Sequence, residues 1–228
     1  MNRQNPILTL EDIHYTVAGH EAELFSGLQF TAKPGERIAI VGGEGAGKST
    51  LMRIMAGLIS PSAGRVLFAG EPITAPPPPP GGIGLLFRDS ANHFLTPMAQ
   101  EEILLGLMGV DDLEAAGRVT NFLELAALPP QAATWYLANL SASQQSRVAI
   151  AALLASKPRL ILADEPGLNL DLAGEQELGV QFKELTKDEQ AVQVVFTSRL
   201  ERASVFADRT LYLSEGILSD TPSTSGQY

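Results

Sequence analysis

The chain has 228 residues with 16 Lys and Arg against 26 Asp and Glu, a formal net charge of −10. One domain with a sizeable core is expected at that length, and 45% hydrophobic residues against 18% charged ones exclude a disordered chain. The acidic balance argues against a sequence-independent grip on nucleic acid, and the lack of cysteine excludes disulfides, thiolate metal sites and a cysteine nucleophile.

In chain order, Ile7–Leu10, Ile13–Val17 and Leu24–Thr31 read as short strands, broken by Ala18-Gly19 and the turn Lys33-Pro34-Gly35. Arg37–Val41 (RIAIV) is a compact apolar run, the pattern of a strand buried on both faces. A glycine-rich loop follows, then a helix from Ser49 to about Leu58, then strands at Arg65–Phe68 and Ile83–Phe87. The five prolines of Ala75–Gly82 force polyproline II. They read as a stiff surface connection, with a docking motif for a proline-binding domain as the other reading. Gln100–Met108, Leu113–Ala127 and Ser143–Ala155 carry helical periodicity and are divided by Pro129-Pro130, so 98–157 is expected to be an inserted helical subdomain. From Arg159 the β/α alternation resumes with strand Leu160–Ala163, helix Leu172–Leu185, strand Val192–Thr197, a short helix and strand Thr210–Leu213. Residues 220–228 are rich in Ser, Thr, Pro and Gly and read as a frayed tail. The expectation is one domain over 1–228.

The longest apolar stretches, such as Ile103–Val110, fall far short of the ~20 residues that a spanning helix requires. The first residues, MNRQNPILTL, lack the apolar core and cleavage site of a secretory signal. His14, His20 and His93 are scattered and make no histidine-rich metal site. The chain therefore reads as cytoplasmic, and work at a membrane would require a partner to hold it there.

Two motifs carry chemistry. Gly42-Gly43-Glu44-Gly45-Ala46-Gly47-Lys48-Ser49-Thr50 fits G-x-x-x-x-G-K-[ST], between a buried strand and a helix as that pattern requires. Its glycines let the backbone wrap closely and aim N–H groups at phosphate oxygens. Lys48 adds a point charge for the β- and γ-phosphates, Ser49 is placed to ligate Mg²⁺, and the helix N-terminus adds its partial positive charge. The expectation is nucleoside triphosphate binding. The second motif is Arg159–Pro166 (RLILADEP), a buried strand ending in two carboxylates at the edge where parallel sheets bind ligands. Asp164 would orient the metal, and Glu165 would face the γ-phosphate and polarise an attacking water as general base.

Together with Leu140-Ser141-Ala142-Ser143-Gln144, these motifs resemble the ATP-binding cassette (ABC) ATPases, over roughly Leu8 to Ser219. Phe25–Thr50 follows that family's opening pattern, the LSxxQ element is similar to its signature, and Asn169-Leu170-Asp171 stands at its D-loop. Phe87–Ile103 and Leu153–Pro166 look most like the ATPases of cobalt and vitamin energy-coupling-factor importers. The resemblance implies an α/β P-loop NTPase core on a mostly parallel sheet, with an N-terminal antiparallel β element and an inserted α-helical subdomain. It implies ATP and Mg²⁺ as cofactors, Tyr15 stacked on adenine, and Ser141, Gln144 and Asp171 contributing to nucleotide binding across a dimer. It also implies an integral-membrane transporter subunit as partner, a second ATPase chain (the same or different), no nucleic acid, and a peripheral place on the inner face of the cell membrane. In such ATPases a cleft beside Phe94, Leu95 and Met98 receives a helix of the membrane protein, and ordinary packing of the helical subdomain explains those residues equally well.

Three positions depart from the family pattern. Arg88 stands where relatives carry the Q-loop glutamine, and a guanidinium has no lone pair to offer metal or water. Ser198 stands at the switch histidine and is too short to span the same gap to the γ-phosphate. Ala142 and Ser143 replace two signature glycines. Lys48, Glu165, Ser198 and Arg88 are the expected catalytic set, with Arg199 a candidate for compensation. The function implied is ATP hydrolysis, weak in the isolated chain, coupled to a membrane transporter. A regulatory module that senses nucleotide without productive hydrolysis is the alternative.

Overall fold

The computed structural model describes residues 5–19, 21–73, 82–89, 94–188 and 191–222. The proline run, His20, His93 and the last six residues of the expected tail lie outside them.

Two sheets share one core. The N-terminal sheet is antiparallel, in the order β2 (Glu23–Ala32), β1 (Leu8–Thr16), β4 (Ala63–Phe68), β5 (Glu71–Pro72). The second runs β10 (Ile217–Ser219), β9 (Arg209–Ser214), β3 (Arg37–Val41), β8 (Val192–Thr197), β7 (Leu160–Asp164), β6 (Ile83–Leu86). Its pairs from β9 to β6 are all parallel, and β10 runs antiparallel to β9. Every residue of β3, β7 and β8 is buried, which is why these strands are mostly apolar, with Arg37, Asp164, Gln193 and Thr197 the buried polar exceptions.

Helix α1 (Lys48–Met55) sits between the sheets, burying Leu51, Met52, Ile54 and Met55 in one cluster with Ile38, Ile40, Leu162, Val194 and Phe196. Leu8, Leu10, Ile13 and Phe25 of the antiparallel sheet close that cluster from the far side. The opposite face of β7 and β8 presents Ile161, Ala163 and Val195 to Leu178 and Phe182 of α5 (Leu172–Asp188) and to Phe206 of α6 (Leu200–Phe206). The same cluster runs on into α2 (Ala99–Gly106), α3 (Asp112–Leu125) and α4 (Ala142–Ser156), so the inserted helices extend the sheet's core instead of making a separate one.

The register decides what meets at the sheet's rim. Val41 pairs with Thr197, and Asp164 pairs with Phe196. The loops leaving β3, β7 and β8 therefore leave from one edge, the carboxyl edge of parallel strands.

Differences from the sequence reading are local. The two strands expected at 7–10 and 13–17 are one, β1, whose pairing register shifts around Asp12 at φ 52°. Helix α1 stops at Met55, short of Leu58, because Gly57 adopts φ +71°. Strands β5 and β10, and 3-10 turns at Pro130–Thr134 and Leu137–Asn139, are too short to leave a periodic signal. At the β1 irregularity Gly64 has φ +86°, and a Cβ there would lie 2.2 Å from the Asp12 carbonyl oxygen. Gly64→Ala should therefore destabilise the fold by about 1–3 kcal/mol, read as a lower urea midpoint with unchanged slope.

Candidate functional site

The loop between β3 and α1 is shaped by close approach. A Cβ at Gly42 would lie 2.7 Å from the Leu213 carbonyl oxygen, and one at Gly47, which sits at φ +95°, would lie 3.0 Å from the Phe25 ring. The chain wraps, and Lys48 folds back over it, donating to the carbonyl oxygens of Gly42 at 2.7 Å and Gly43 at 2.9 Å. Ser49, in the first turn of α1, donates to Asp164 Oδ2 at 2.6 Å. This one bond ties the two sequence motifs together.

Glu165 follows β7 in the left-handed region at φ 48°, with its N–H donating to the Phe196 carbonyl. Its side chain is 6% exposed and both carboxylate oxygens are engaged. Oε1 accepts from the backbone N–H and the hydroxyl of Ser198, each at 2.7 Å, and Oε2 accepts from the Thr197 hydroxyl at 2.9 Å. Thr197 was not singled out by sequence; its only signal is a polar residue closing an apolar strand beside β7.

These groups line a cavity of about 730 Å³. Glu44, Gly45, Gly47, Lys48, Ser49, Thr50, Arg88, Asp164, Glu165 and Ser198 all contribute to it. Burial pulls the Lys48 ammonium below its ordinary value, against the charges of Glu165, Asp164 and Glu44 that hold it up. Burial likewise pushes the Asp164 carboxyl up, against the Ser49 hydrogen bond, and Glu165 adds to the rise. A hydroxyl and a desolvated carboxylate oxygen side by side are hard donors that suit Mg²⁺, which would supply the countercharge Asp164 lacks. Among the described residues no cluster of three or more His, Cys, Asp or Glu could hold a metal alone. Phosphate oxygens and waters would complete the shell.

Other expected residues fall elsewhere. Tyr15 packs, partly buried, against the core and does not line the cavity; Val17, Ala22 and Leu24 form its outer wall instead. Val17, just past the end of β1, lines the cavity where Tyr15 was expected. Gly42, Gly43 and Ala46 shape the loop without lining the cavity. Arg199 is exposed and absent from the lining. Ser141 and Gln144 bond each other as a capping box at the start of α4, and Asp171 caps the start of α5 through the Gly174 N–H. None of the three faces the cavity of its own chain.

The sequence profile described as ABC transporter matches residues 25–167. The energy-coupling factor transporter ATP-binding protein EcfA of Methanoculleus marisnigri is 32% identical over 215 residues, covering 92% of this chain and 76% of that protein. The Fe(3+) ions import ATP-binding protein FbpC of Streptomyces avermitilis is 35% identical, covering 82% of this chain and 54% of that protein. Among solved structures, the dimeric ATP-binding cassette MJ0796 bound to ADP and Pi matches with TM-score 0.81 at 28% identity, over 92% of this chain and 96% of that one. CbiO1 of Clostridium perfringens, part of the ABC transporter complex cbiONQ, matches with TM-score 0.79 at 28% identity, over 95% and 88%.

The bonds on Glu165 are separable by substitution. Thr197→Val strips Oε2 of its donor inside a buried site and should cost about 1–3 kcal/mol of stability. Ser198→Ala keeps the backbone N–H on Oε1 and should cost less, both read by chemical denaturation.

Proposed function

The chain belongs to the ABC transporter family and is one of its ATP-binding, ATP-hydrolysing subunits, and from that premise we propose that it closes as a dimer on MgATP, cleaves it slowly and so drives a membrane-bound partner. The observation that carries the slow step is that three donors hold the Glu165 carboxylate. A carboxylate offers about four lone-pair sites, and three are taken by Ser198 and Thr197.

In this reading the triphosphate lies along the loop, and Lys48 leaves the Gly42 and Gly43 carbonyls to meet the β- and γ-phosphates. Ser49 and Asp164 would hold Mg²⁺, which neutralises phosphate charge when bound. A water held by the last free lone pair of Glu165 attacks the γ-phosphorus. The bond from the γ-phosphorus to the β–γ bridging oxygen breaks, ADP leaves with that oxygen, and the water's proton passes to Glu165. Arg88 brings positive charge to the phosphates but no acceptor for the water. Ser198 already donates its hydroxyl to Glu165. Ser141, Gln144 and Asp171 lie on the outer surface of the fold, which supports a role toward a partner's nucleotide and not their own.

A second cavity supports the transporter reading. Phe87, Phe94, Leu95, Leu105 and Leu153 line a groove between β6, α2 and α4. Leu95 is 83% exposed, on a turn that Glu102 ties down through the Leu95 and Thr96 N–H groups and the Thr96 hydroxyl. An apolar side chain held out by a fixed turn suits a docking helix of a membrane subunit, which would keep this chain at the inner membrane face. No helix among the described residues is long and apolar enough to cross a membrane.

The three filled lone pairs equally favour a nucleotide sensor that closes without productive hydrolysis. Steady-state phosphate release decides between the two. Lys48→Ala should weaken ATP binding about 10- to 100-fold through loss of charge-assisted bonds, and Glu165→Gln should bind ATP yet abolish residual turnover. A sensor gains activity when Arg88→Gln and Ser198→His are combined, and a working slow ATPase does not. Wild-type turnover at about 10 per second, ordinary for an enzyme, and lost in Glu165→Gln, would overturn the slow step.

A further inference from the structure

The nucleotide cavity has an incomplete wall. Its inner end is polar and charged, its outer end is Val17, Ala22 and Leu24 with the carboxylate of Glu23, and no aromatic ring lines it among the described residues. Tyr15, the ring expected there, is turned into the core. Aliphatic side chains give a purine contact area without a π face to stack on.

A complementary surface lies at the start of α4. Thr134, Trp135, Tyr136, Asn139, Leu140 and Gln144 line a pocket of about 390 Å³. Trp135 is the chain's one tryptophan and packs, partly buried, against the helical core, with its carbonyl bonded to the Ala99 N–H. Tyr136 is 57% exposed although it is a large aromatic, and the backbone on either side of it is fixed by a bridge to Met98 and by the Leu137 N–H on Pro97. Two rings on a rigid turn make a preformed stacking face at little entropic cost. Asn139 adds an amide of the kind that pairs with the N6 and N7 edge of adenine, and Gln144, whose Oε1 accepts from the Ser141 N–H, keeps its NH2 as a donor. The pocket is continuous with Ser141 and Gln144, the pair that the dimer reading turns toward a partner.

We propose that this pocket receives the adenine of the nucleotide bound by a second copy of the chain, with Trp135 as the stacking ring that the copy's own cavity lacks. The proposal rests on the reading of the chain as an ATP-binding dimer. Each cavity then supplies phosphate chemistry, and the opposite subunit supplies recognition of the base.

Because Trp135 is the only tryptophan, its emission reports the contact directly. The full chain is titrated with a magnesium-bound, non-hydrolysable ATP analogue while mass is followed by light scattering. Nucleotide occupancy is followed separately with a fluorescent ATP derivative excited outside the tryptophan band. The expected result is quenching of Trp135 that appears only at protein concentrations where the dimer mass appears. Trp135→Ala should raise the analogue concentration needed for dimers about 5- to 150-fold, the equilibrium worth of one base–aromatic stack. Trp135→Phe should recover most of that loss, and nucleotide uptake by the dilute monomer should be the same in both. Dimers that form with unchanged Trp135 emission would overturn the proposal and leave the functional reading intact. Quenching in the dilute monomer, or nucleotide-loaded chain that never dimerises with itself, would also overturn it. No nucleotide uptake at all would overturn the functional reading beneath it.

Discussion

The site depends on one strap: the Lys48 ammonium laid back across its own loop onto the carbonyls of Gly42 and Gly43. A half-buried ammonium is costly to desolvate, and the neighbouring carboxylates do not fully offset that cost, so its pKa falls. The loop can close this tightly only where a side chain is missing, since a Cβ at Gly42 would collide with the Leu213 carbonyl. In place of a phosphate chain, the cation has found the loop's own carbonyls as acceptors. A nucleotide would offer it better ones.

From that strap the rest of the site follows by register. Strand β3 delivers the loop beside β8, and β8 delivers Thr197 and Ser198 beside the carboxylates that end β7. Asp164 is tied to the loop by Ser49, whereas Glu165 is tied away from it by its three donors. Two adjacent acids thus enter two environments, one poised for a metal and the other for a water. The restraint on Glu165 comes from a residue that sequence reasoning marked as a departure, Ser198, and from one it passed over, Thr197.

How much of this is legible in the sequence depends on how local each feature is. Strands β3 and β8 are short, mostly apolar runs, and their limits are readable to the residue; the loop motif is contiguous, and its geometry follows from its glycines. Tyr15 illustrates the opposite case. It packs against the core, and Val17, two residues on and past the end of β1, lines the cavity instead, a choice settled by tertiary packing that no local pattern announces. The cage on Glu165 joins positions some thirty residues apart, and no spacing rule announces it. Ser141, Gln144 and Asp171 were read as nucleotide-binding, yet in one chain they cap helices. Whatever else they do needs a second chain. Lys48 and Arg88 line the cavity beside the carboxylates of Glu23, Glu44, Asp164 and Glu165, and Arg199 does not line it.

The strap is tested most directly by a crystal structure of the chain with a magnesium-bound, non-hydrolysable ATP analogue. The account predicts Lys48 Nζ transferred from the Gly42 and Gly43 carbonyls to the β- and γ-phosphates, with the metal held beside Ser49 and Asp164, and Glu165 still held by Thr197 and Ser198. A nucleotide bound with Lys48 still on those carbonyls would contradict it.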